Sequence, residues 1–115
     1  MFFSAVRLTP EGGWRFGDKV QMQAIQGAEQ TWQKNWVPFE HDAKVKMVYG
    51  FEPMTVVTPD MQTGKIQHVS TQAIKLPWRY GVIRGSTQAY PYGKDHYITF
   101  FHSSQKTKGW FSYYY

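Results

Sequence analysis

The chain has 115 residues, 42% of them apolar and 18% aromatic, with a formal net charge of +5 and no cysteine. That is enough for one small domain with a core, and it excludes disulfides and thiolate metal sites. No apolar run approaches the roughly 18 residues that cross a bilayer, and Met1 to Arg7 is too short and too soon charged for a signal peptide, so the expectation is a cytosolic protein with no membrane partner.

Phe2 to Leu8 alternates as a strand, and Thr9-Pro10-Glu11-Gly12-Gly13 closes it with turn chemistry. A second short strand is predicted around Val20-Gln21-Met22, and the polar, weakly patterned Gln26 to Gln30 reads as a crossing. Four strands follow: Val37 to Glu40, Lys44 to Phe51, Met54 to Thr58 and Lys65 to Thr71. His41-Asp42-Ala43 turns the first pair, Pro53 sits at a strand boundary because proline lacks a ladder donor, and Thr58 to Gly64 makes a tight turn. Lys75 to Tyr80 is a connector. Gly85 to Tyr90, His96 to His102 and Gly109 to Tyr115 then give three more strands, the last of them aromatic and without a partner. Such an edge is sticky, which suggests a piece of a longer protein and open edges suited to self-association. The period is close to two wherever one exists, so no helix is predicted.

Two stretches look like copies. A shift of 53 residues lays Pro38 on Pro91, Phe39 on Tyr92, Asp42 on Asp95, Val45 on Ile98, Met47 on Phe100 and Tyr49 on His102. A repeat of this size built from strand-turn-strand units belongs to propeller blades. The fold expected is therefore all-β, with antiparallel blades of an incomplete β-propeller. One partial domain covers 1–115, with blades at 37–71 and 85–115 and part of a preceding blade at 1–31.

Lys34-Asn35-Trp36 before a Pro-Phe strand, an aromatic and Pro53 closing the next, then Arg84-Gly85-Ser86-Thr87 and Phe100-Phe101-His102, make up an ordered set of motifs. In these the chain resembles the β-mannoside phosphorylase and mannosidase family of five-bladed β-propellers. It is more closely similar to relatives that carry a Glu-Lys-Asn-Trp motif, some described as glycosyltransferases. The resemblance runs from about Trp32 to the end. It implies a substrate in a central funnel lined by inner strands and their loops. It also implies inorganic phosphate as an optional co-substrate, and Lys34 in the position of an anion-binding lysine. Tyr49 stands where the phosphorylases have a histidine, and Gln33 where the relatives often have glutamate. The family's acidic catalyst belongs to an earlier blade, so the resemblance implies that these residues alone are catalytically inactive.

The residues themselves leave alternatives open. Lys34 offers three donors on a point charge, or is an exposed loop lysine. Asn35, Ser86 and Thr87 offer hydroxyl-binding groups. Glu52 holds a sugar hydroxyl or pairs with a lysine. Arg84 presents a planar fork to a carboxylate or phosphate. Gly85 admits a ligand close to the backbone, or marks a bulge. His102 orients a ligand, or is a packed strand-end histidine. Trp36, like Trp32, Trp78 and Trp110, stacks on a sugar or wedges between sheets. His41, His68 and His96 show no metal-ligand spacing, so no metal is expected. Glycosidic chemistry needs a carboxyl acid and an attacking carboxylate or phosphate, and no catalytic residue is assigned here. The functions in view are a glycoside hydrolase, phosphorylase or glycosyltransferase, a glycan-binding propeller without catalysis, and a basic domain for single-stranded nucleic acid. The last ranks third because the lysines are dispersed over turns and edges rather than set among the aromatics.

Overall fold

A computed structural model of the chain describes residues 2–23, 25 and 35–115. Among these the secondary structure is all-β, in antiparallel sheets of which none is closed, and no helix is long and apolar enough to cross a membrane. The expected crossing at Gln26 to Gln30 lies outside the described residues.

The middle of the chain forms a four-stranded meander of β5 (Val37–His41), β6 (Lys44–Phe51), β7 (Met54–Pro59) and β8 (Ile66–Gln72). Asp42 and Ala43 turn β5 into β6 with φ of 52° and 55°. Positive φ at both central residues gives the mirror-image turn whose twist matches the strands. Alternation then sorts the side chains. Val37, Val48 and Phe51 are buried on one face, while Met47 and Val57 are buried on the other. A bulge between Val48 and Gly50 ends the regular ladder beside Tyr49, a device that re-aims side chains at strand ends.

The second sheet is three-stranded, in the order β13 (Trp110–Tyr114), β12 (Phe101–Thr107), β9 (Val82–Gly85). Its inner hairpin continues past a break into the short pair β10 (Tyr90–Pro91) and β11 (Tyr97–Ile98). The inner strand expected from Gly85 to Tyr90 thus starts earlier, at Val82, and is interrupted. The reason is packing: the Ala89 amide leaves the ladder to donate to the Pro38 carbonyl at 3.0 Å in the first sheet.

The two sheets stack through Val37, Val48, Phe51, Ile83 and Ala89. Each such side chain withdrawn from water contributes about 1.5–3 kcal/mol. At the far end Tyr97 seals the joint, its hydroxyl donating to the Glu40 carbonyl at 2.9 Å and its ring lying 4.9 Å from that of Phe39. On the opposite face of the first sheet lies Met22, just after β4 (Val20–Gln21), which pairs with β1 (Phe2–Phe3). The approach here is close. A Cβ on Gly64, whose φ is +73°, would lie 2.0 Å from the Gln21 carbonyl oxygen. The strand expected over Phe2 to Leu8 breaks at Ser4 and Ala5. Its second half, β2 (Val6–Leu8), forms a ribbon with β3 (Trp14–Phe16).

The repeat is visible at the turns, since Asp95, like Asp42, is left-handed, with φ of 59°. It is lost along the strands. Met47 is buried, whereas Phe100 is 63% exposed, and Pro38 faces Met47 across the ladder while Pro91 faces Tyr97. The second turn, from Tyr92 to His96, is longer than the first, and that slides the register.

Asp60 organises the β7–β8 turn. One carboxylate oxygen accepts from the Gln62 and Thr63 amides, both at 2.8 Å, and the other from Gln67 Nε2 at 3.1 Å. The Thr63 amide foremost, then that of Gln62, holds the carboxyl below its usual value of 3.8. A lowered pKa contributes stability that is present above the unfolded value and lost as pH falls through the folded one. Acid titration followed by circular dichroism should therefore show wild type losing its advantage over Asp60→Asn below about pH 4.

Candidate functional site

Where β5 begins, β6 ends and β9 begins, the two stacked sheets part into a cleft of about 470 Å3. That is within the usual range of small-ligand sites, roughly 300–1,000 Å3. Asn35, Tyr49, Glu52 and Arg84 line it, with backbone supplied around Gly50 and Gly81. Each is held there by a local feature of the chain.

Asn35 leads into β5 with φ of 64°, a left-handed conformation that asparagine tolerates better than most residues. Tyr49 sits at the bulge, its ring edge-on to Trp36 with centroids 5.0 Å apart. Trp36 is half-buried behind it, and its indole nitrogen is buried without a hydrogen-bond partner among the described residues. Glu52 follows the end of β6, and its Oε1 accepts from the Leu76 amide at 2.5 Å. This pins the connector between β8 and β9 to the rim. Beside the two roles open to Glu52, a sugar hydroxyl or a lysine, its carboxylate thus carries a backbone contact.

Arg84 lies on the exposed side of β9, opposite His102 in the ladder. Among the described residues its guanidinium makes no ion pair. Gly85 beside it is needed for packing. A Cβ there would stand 2.1 Å from Val37 Cγ2 and 2.7 Å from the Asn35 carbonyl oxygen, so the first sheet comes close to it.

Ser86, Thr87 and His102 lie off the cleft lining, in a separate hydrogen-bonded group at the break between β9 and β10. Ser86 Oγ is 2.7 Å from His102 Nδ1. The Thr87 hydroxyl accepts from the Phe100 amide at 3.1 Å, replacing a missing rung of the ladder. His102 is therefore held by a serine side chain, where a backbone partner would be the usual strand-end arrangement. Lys34, with its neighbours Gln33 and Trp32, lies outside the described residues.

Glu52 is the single carboxylate of the lining, and no group of three metal-ligating side chains occurs among the described residues. The lining can thus bind hydroxyls and an anion, and among the described residues it brings one carboxyl group, where glycoside cleavage uses two groups as acid and attacking partner. Sequence reasoning missed the wall formed by Gly81, Val82 and Ile83. Its one signal was Gly81 itself, placed just after the aromatic connector. No protein-family model, no curated protein and no solved structure matches the chain.

Proposed function

We propose that this chain is part of a carbohydrate-active β-propeller, and that the cleft between its two sheets is a glycoside seat. The observation that carries the reading is convergence: Asn35, Tyr49, Glu52 and Arg84 come from three strands and their loops and line one cleft. The topology agrees with successive blades, since the connector passes from the outer strand β8 of one sheet to the inner strand β9 of the next. An acidic partner for hydrolysis or phosphorolysis would come from another blade. With Glu52 anchored by the Leu76 amide, these residues bind sugar and do not turn it over.

Ligand-observed NMR of the chain with β-mannosides and other β-glycosides tests this. Binding is expected, with no release of product. Glu52→Gln and Tyr49→Phe should each weaken it about fivefold, the worth of one hydrogen bond of roughly 1 kcal/mol. Absence of binding to every glycoside at millimolar concentration would refute the glycoside seat, and unchanged affinity in both variants would move it elsewhere.

A further inference from the structure

We infer that the sugar this cleft takes carries a carboxylate, as in a uronic acid, and that Arg84 receives it; the inference rests on the cleft being a glycoside seat. Among the described residues the charges of the lining are one arginine and one glutamate, and they are not paired with each other. Glu52 already accepts a backbone amide. Arg84 is exposed and has no carboxylate partner among the described residues. His102, its neighbour across the ladder, has Nδ1 engaged by Ser86. Among the described residues the guanidinium is thus the strongest donor array left open at this site, with a planar fork that matches a carboxylate in two parallel hydrogen bonds.

A neutral sugar gains less from that fork than a carboxylate, whose two oxygens match it with opposite charge. An acidic sugar has a preferred direction in the cleft: its hydroxyls lie toward Asn35 and Glu52, and its anion lies away from the Glu52 charge, at Arg84. The overall charge of +5 acts in the same sense over longer range.

The test compares a disaccharide bearing glucuronic acid with its neutral glucose counterpart by titration calorimetry on the chain. Sugar phosphate and inorganic phosphate serve as separate arms. The uronic acid is expected to bind about tenfold tighter than the neutral sugar at low salt, and the gap should narrow as salt rises. Arg84→Gln should close the gap, because it weakens the uronic acid about tenfold more than the neutral sugar. Arg84→Lys should restore part of it, and a melting curve verifies the folding of both. Equal affinities for acidic and neutral sugars in the wild type would overturn the inference and leave the glycoside seat standing. Binding of inorganic phosphate as tight as that of the uronic acid would also overturn it, since the anion would then be free and not sugar-borne. If neither sugar binds, the glycoside reading falls as well.

Discussion

Gly85→Ala should separate the two sheets and empty the cleft. The added methyl would be 2.1 Å from Val37 Cγ2 and 2.7 Å from the Asn35 carbonyl oxygen. The first obstacle is a side chain that is itself fully buried, and the second is backbone, so neither can swing aside. Overpacking of a core costs about 1–3 kcal/mol and more where backbone must move. At several degrees per kcal/mol, the melting temperature should fall on the order of 10 °C or more. Gly50→Ala is the control. Its Cβ would meet the Pro53 carbonyl oxygen at 3.5 Å, an ordinary contact, so stability should stay within about 0.5 kcal/mol. The decisive comparison is a thermal melt of both variants. Equal melting temperatures would mean that the sheets do not stack as described.

That Gly85 serves the packing of the two sheets was not legible in its neighbours. The strands themselves were. Lys44 to Phe51 was recovered to the residue, because its alternation is long and its ends carry an Asp-Ala turn and a Glu-Pro turn. The break in the second inner strand was hidden, since it depends on the Ala89 amide finding Pro38, about fifty residues away in the chain.

The site was partly legible for the same reason. Asn35, Tyr49 and Glu52 sit at strand ends, where local signals are strong, and the ends of neighbouring strands converge in an antiparallel sheet. Ser86 and Thr87 entered the expected site with the Arg84-Gly85-Ser86-Thr87 motif, and His102 with Phe100-Phe101-His102. Their roles depend on cross-strand partners such as Phe100 and Thr99, which only the ladder register reveals. The aromatic residues divide in a way that composition cannot anticipate. Trp110 is 80% exposed, whereas Trp78 is packed against the core between the sheets.

Trp78→Ala should therefore cost far more than Trp110→Ala. Trp78 meets Phe101 at 90° with ring centroids 5.0 Å apart, and Tyr80 at 71° and 5.2 Å. Its indole nitrogen donates to Ser103 Oγ at 2.9 Å, and that fully buried hydroxyl in turn donates to the Tyr80 carbonyl at 2.8 Å. Truncation removes the ring and leaves Ser103 short of a donor, which together are worth about 3–5 kcal/mol. That is a large share of the roughly 5–15 kcal/mol of a whole domain. Urea unfolding should show a midpoint lowered in proportion, while Trp110→Ala stays within about 0.5 kcal/mol of wild type. The same change reaches the cleft. Trp78 anchors the connector through its indole hydrogen bond to Ser103 and its ring contact with Phe101, and the Leu76 amide two residues before it is what holds Glu52. In Trp78→Ala, glycoside affinity should fall even at temperatures where the chain is still folded, because the connector that carries the Leu76 amide loses its indole anchor and no longer holds that amide against Glu52. A variant with a lowered urea midpoint and intact affinity would break this link between connector and cleft.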